Sequence, residues 1–161
     1  MKLLKGKDIT IYINKEELKI NDLTKTSIEK LIKNINKNYD INLKGYYNVG
    51  TYIDKNYGII INIDKEELEY LDYFNELEIN IEIIKDSFLY KIEDLSSIKN
   101  IINRCIMRKL NENIYIEIKE LSNIEMGIIL ENAIIIYGKE AKKIKNQSKI
   151  VNTEVIVWKN Q

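Results

Sequence analysis

The chain has 161 residues, 25 Lys and Arg against 25 Asp and Glu, one cysteine and no histidine. A chain of this length can bury roughly 70% of its unfolded surface, enough to fold without disulfides or a metal. The missing histidine excludes a Ser-His-Asp triad, a Cys-His dyad, a His-ligated metal and a His pH switch, and the single Cys105 excludes an intramolecular disulfide and a multi-cysteine zinc site.

The balanced charge gives no global field toward nucleic acid or an anionic membrane. Arg104 and Arg108 are the only arginines, so the preferred phosphate fork is scarce. The first eight residues hold no signal-peptide core, and no later apolar run approaches the roughly 18 residues of a membrane span. A cytoplasmic protein without membrane contact is expected. The heavy use of Ile, Asn, Lys and Tyr with no proline matches the codon bias of a low-GC bacterium.

In chain order, Ile9, Ile11 and Ile13 alternate at the strand period and predict a strand with one buried face. Ile28, Leu31, Ile32 and Ile35, continued by Tyr39, follow helical spacing, with Thr26 or Ser27 as the cap. Leu43 to Ile53 and Ile59 to Ile63 read as a strand pair about the turn-forming Asp54-Lys-Asn-Tyr-Gly58. The first half is therefore β-α-β-β. Lys65 to Phe74 reads as a short helix or an ordered connection.

The second half opens with a clear alternation of Leu77, Ile79, Ile81 and Ile83 with Glu78, Asn80 and Glu82, expected to pair with Phe88–Ile92 through a turn near Lys85 and Asp86. Asp94 to Arg104 has helical spacing. Cys105–Leu110 and Ile114–Lys119 flank Asn111-Glu-Asn113 and predict a hairpin. Ser122 and Glu125 form a capping-box pattern ahead of a helix from about Asn123 to Tyr137, closed by Gly138, although the β-branched Ile134-Ile-Ile136 equally suits a strand. A lysine-rich segment, Lys139 to Lys149, precedes a last strand at Glu154–Trp158. The expected fold is α+β: two β-α-β-β-type modules, residues 1–75 and 76–161, with antiparallel sheets and helices packed on one face.

No glycine spacing suits a phosphate loop, and the carboxylates fall on amphipathic faces without metal-ligand grouping, so neither cofactor nor metal is expected. Cys105 has no histidine to serve as its base and reads as a buried, inert thiol. The eleven tyrosines, with the Tyr46-Tyr47 and Tyr70/Tyr73/Phe74 groups foremost, either pack in the core or at a sheet edge, or stack bases or bind a partner. Strand alternation turns Ile114, Ile116 and Ile118 inward and Tyr115 and Glu117 outward, with Ile106 and Arg108 on that outward face. This mixture has interface composition and is the candidate partner-binding face. Lys139, Lys142, Lys143, Lys145 and Lys149 are the alternative, either a solvated helix end or a nucleic-acid contact. The open hairpin edges also suit a homodimer.

Asp8–Leu18, the helix from Ser27 into the strand pair between Leu43 and Ile63, Phe88–Ile102, Ile106–Ile118 and Glu125–Tyr137 follow one another in an order that resembles the MecA-type adaptors of low-GC bacteria. That resemblance implies a non-enzymatic adaptor and regulator. Its N-terminal module would hold a substrate protein, and its C-terminal module would dock on ClpC, the AAA+ unfoldase of the Clp protease.

Overall fold

In the computed structural model, which describes residues 1–5, 8–17, 23–66 and 77–152, strand alternation organises the first unit. β1 (Lys2–Lys5), β2 (Ile9–Asn14), β3 (Gly45–Asp54), β4 (Gly58–Lys65) and β5 (Leu77–Lys85) form one sheet in the order β1-β2-β4-β3-β5. Its register sets Ile9, Ile63, Val49 and Ile81 in one row across four strands, and Ile11, Ile61, Thr51 and Ile83 in the next. Helix α1 (Lys25–Asn38) lays Ile28, Ile32 and Ile35 on those rows. Each isoleucine fully withdrawn from water contributes about 1.5–3 kcal/mol, so this seam is the main stabilising feature of the unit.

The α1 cap lies upstream of the expected Thr26 or Ser27. Thr24 Oγ1 accepts from the Ser27 amide at 3.2 Å, and Ser27 Oγ accepts from the Thr24 amide at 2.9 Å. Ser27 thus supplies the returning half of a capping box. The β3–β4 turn forms at the expected place: Asp54 Oδ1 accepts from the amides of Asn56 and Tyr57 at 2.7 and 2.8 Å. Strand β1 carried no recognisable alternation and was not expected.

Leu77–Lys85 does not pair with Phe88–Ile92. It lies parallel to β3, with Tyr47 opposite Ile79 and Val49 opposite Ile81, where its apolar positions extend the isoleucine rows beneath α1. The compact units consequently divide between Lys85 and Asp86, ten residues beyond the expected boundary at 75/76.

In the second unit, β6 (Leu89–Ile92), β7 (Cys105–Leu110), β8 (Asn113–Ile118), β9 (Ala133–Ile136) and β10 (Lys149–Ile150) form a wholly antiparallel sheet in the order β10-β7-β8-β6-β9. The β7–β8 hairpin is as expected, turning at Asn111 with φ +54°. Asp94 to Arg104 forms two 3-10 turns, Leu95–Ile98 and Ile102–Arg104, rather than a regular helix. Asp94 Oδ1 accepts from the Ser96 amide and hydroxyl, and Ser97 Oγ donates to the Asp94 carbonyl, local bonds that compete with a helix.

Helix α2 (Asn123–Asn132) starts on the predicted Ser122/Glu125 capping box. It stops at Asn132, and Ile134–Ile136 takes the strand alternative as β9, beside β6. Three consecutive β-branched residues favour the pleated surface. Helix α3 (Gly138–Gln147) follows at once. Residues 67–74 of the expected connection and the expected strand Glu154–Trp158 lie outside the described residues.

The α+β class holds, with antiparallel pairing except at β3–β5. Helices cover one face of the first sheet by way of α1. The second sheet is buried on both faces. Ala141 and Ile144 of α3 pack against Leu89, Tyr115 and Ile136, while Tyr90, Met107 and Ile116 on the opposite face are buried too, and the Cys105 thiol there meets the Ile101 carbonyl. Among the described residues no helix is long and apolar enough to cross a membrane.

Candidate partner-binding surfaces

The β7–β8 register brings together the four residues expected to form an outward face: Ile106 stands opposite Glu117 and Arg108 opposite Tyr115. Their parity is as read, but their exposure is not. Tyr115 is only 6% exposed, in one apolar cluster with Ala141 and Ile144 of α3. Alternation identified a second face without revealing that another helix covers it.

The polar members of that face are engaged internally. Arg108 Nε lies 3.5 Å from Glu117 Oε2, and its Nη1 donates to the Lys145 carbonyl at 3.4 Å. Glu117 Oε1 accepts from Ser87 Oγ at 2.8 Å. Lys145 Nζ donates to the Ser87 carbonyl and hydroxyl, each at 2.7 Å, and lies 3.4 Å from Asp86 Oδ1. Asp86, Ser87, Arg108, Glu117 and Lys145 thus form a half-buried polar seam that fastens α3 to the sheet.

That seam divides the lysine segment. Lys145 belongs to it, whereas Lys139, Lys142 and Lys143 are exposed, at positions i, i+3 and i+4 on the outward side of α3. Lys149 is exposed on β10 opposite Lys109. The segment is a helix carrying a basic face of three lysines rather than five.

Cys105 is 5% exposed, its thiol donates to the Ile101 carbonyl at 3.7 Å, and burial pushes its pKa up to about 11. Such a thiol is protonated at neutral pH and a poor nucleophile. Among the described residues no group of three acidic or cysteine side chains could hold a metal. A shallow cleft of about 610 Å³ lies beside the α2 N-terminus between Arg104, Lys119, Glu120 and Ser122, but Arg104 is bound there to the Glu125 carboxylate.

The first sheet offers a different surface. Opposite α1, its register sets out Tyr12, Ile60, Tyr52 and Ile84 in one row, Thr10, Asn62, Gly50 and Glu82 in the next, then Asp64, Asn48 and Asn80, and then Tyr46 beside Glu78. The tyrosines are half-buried, while Asn48, Asp64, Glu78, Asn80 and Glu82 are exposed. Asn48 Nδ2 donates to Glu66 Oε2 at 2.7 Å, and Asn80 Nδ2 donates to Asn48 Oδ1 at 3.4 Å.

The field on this face is negative. Burial first, then the charges of Glu82 and Asp64, raises the Tyr52 phenol above its ordinary pKa. Burial and the neighbouring Asp8 raise the Asp64 carboxyl. The even-numbered residues of β3 and β5 carried the signal for this surface, but it became legible only once the two strands were known to be neighbours. In comparisons with known proteins, no family model, no curated protein and no solved structure matches the chain.

Proposed function

We propose that the chain is a non-enzymatic cytosolic adaptor or regulator that binds a protein through the outer face of its first sheet and presents it to a Clp-type AAA+ unfoldase. The observation that carries the binding role is that face itself. Tyr12, Tyr46 and Tyr52 lie among amides and carboxylates on a rigid sheet, and tyrosines framed by a polar rim are the composition of a protein interface. The unfoldase rests on the sequence resemblance to MecA-type adaptors, in which an N-terminal module holds the substrate.

The test mixes the purified chain with a ClpC-type unfoldase from a low-GC bacterium and measures co-elution and ATPase stimulation. A complex that survives moderate salt is expected. Absence of both signals removes the unfoldase from the reading. A pull-down after nuclease treatment, repeated with Tyr12→Arg and Tyr46→Arg, examines the face separately: capture of a protein by the wild type and loss in both variants is expected.

A nucleic-acid-binding role is the second reading, favoured by the shared outward face of Lys139, Lys142 and Lys143 on α3. It requires affinity that falls steeply as salt rises and that drops when these lysines are replaced.

A further inference from the structure

We infer that the outer face of the first sheet recognises a lysine- or arginine-rich extended segment, with Tyr52 as an aromatic platform and Glu82, Asp64 and Glu78 as counter-charges. This inference rests on the protein-binding reading above and names the chemistry of the partner.

Charge is the first argument. The register puts Asp64, Glu78 and Glu82 on one face, and the Glu66 carboxylate joins them through Asn48. The one cation that the described strands place there is Lys2, opposite Tyr12 on the outermost strand β1. A face with three carboxylates against one peripheral cation, on a protein of zero net charge, is complementary to a cationic partner and repels an acidic one.

The second argument is the placement of Tyr52. Gly50 sits in the interior of β3, where glycine costs stability and marks a close approach. A Cβ added at Gly50 would lie 3.1 Å from both Cε2 and Oη of Tyr52. The missing side chain therefore lets the phenol end of Tyr52 lie down on the strand, over the row that holds Asn62 and Glu82. An aromatic ring held beside carboxylates suits an ammonium or guanidinium group, which takes cation–π attraction from the ring and ion pairing from the acids.

Spacing is the third. Same-side residues of a strand recur about every 6.6–6.8 Å, the repeat of alternate side chains in an extended peptide. A segment with a cation at every second position can thus meet the successive rows ending in Glu78, Asn80 and Glu82 without strain.

The test uses the full chain and a labelled peptide of alternating lysine and serine, with an alternating glutamate and serine peptide as the control, read by fluorescence anisotropy. Binding of the lysine peptide, weakening as salt rises, is expected. Tyr52→Leu and Glu82→Gln should each weaken it by about fivefold or more, whereas Tyr52→Phe, which keeps the ring, should retain most of it. Lys142→Ala, on α3, should leave it unchanged. Equal binding of the glutamate peptide, no binding of the lysine peptide, or indifference to both Tyr52→Leu and Glu82→Gln would overturn the inference. If a protein is still captured by the wild type and lost in Tyr12→Arg and Tyr46→Arg while the lysine peptide fails to bind, the adaptor reading stands and the cationic partner falls. Loss of both defeats both.

Discussion

The ammonium of Lys145 lies 2.7 Å from both the carbonyl and the hydroxyl of Ser87, so the last turn of α3 is fastened to the segment that enters β6. Half-buried acceptors that lose a charged donor cost about 1.5–3 kcal/mol. Lys145→Met should lower the urea midpoint of the second unit accordingly. Lys142→Ala and Lys143→Ala, on the outward face, should stay within about 0.5 kcal/mol of the wild type.

Tyr115 and Arg108 should behave as structural residues. Tyr115→Ala opens a cavity between β8 and α3 and is expected to cost about 3–5 kcal/mol, as for other large aromatic truncations. Arg108→Glu sets a carboxylate against Glu117 in place of its ion pair. Near-ultraviolet circular dichroism should show loss of tertiary packing in the double variant. A stable, natively packed double variant that has lost only partner affinity would return the binding site to this hairpin.

Thr51 is fully buried in the isoleucine row beneath α1, and its hydroxyl has no hydrogen-bond partner among the described residues. Burying such a hydroxyl costs about 1–3 kcal/mol by mutational measures, so Thr51→Val should raise stability by about 1 kcal/mol. A thermal melt would show it, and a lowered Tm would mean that the hydroxyl does find a partner.

Two glycines should respond oppositely to alanine. Gly58 has φ +128°, and a Cβ there would meet the Lys15 amide at 2.6 Å as well as the Ile13 carbonyl. Gly58→Ala should therefore destabilise the hairpin by more than about 1 kcal/mol. A Cβ at Gly127, inside α2, would have nothing within 4 Å. Gly127→Ala should be stabilising by about 1 kcal/mol through helix propensity.

Alkaline pH should weaken the fold. Burial raises Cys105 from 9.0 to about 11, and burial, with Tyr12 and Glu17 adding, raises Tyr57 from 10.0 to about 12. Each native group holds its proton where the unfolded chain has lost it, so the stabilisation is complete below the unfolded value and is lost as pH rises toward the folded one. Denaturant midpoints should fall from about pH 9 upward, and Cys105→Ala should flatten the first part of that fall. At pH 8 the native thiol should react with a disulfide reagent only as fast as the protein opens.

Local elements were well written in the sequence because they rest on spacing. The alternation of Ile9–Ile13, the Asn111 turn and the Ser122/Glu125 capping box each act within a few residues, and each forms where expected. What could not be read was which surfaces those elements cover. Leu77–Lys85 pairs with a strand more than 30 residues earlier, and alternation says that such a strand needs a partner without naming it. Tyr115 was given the right face but the wrong environment, because Ala141 and Ile144 of α3, which cover it, lie inside a segment whose lysines dominate the composition. The Tyr52 surface was likewise divided between two strands assigned to different modules.

The parallel seat of β5 beside β3 also bears on how the chain is made. The first sheet remains one strand short until Lys85 has left the ribosome, with the backbone of β3 bare along one side although β1, β2, β4 and α1 have already emerged. A bare strand flank is a template for unwanted pairing, so the nascent chain is most vulnerable to association between neighbouring copies in that interval. An expression fragment cut at residue 75 would make the same state permanent, whereas one cut after Lys85 carries the whole sheet.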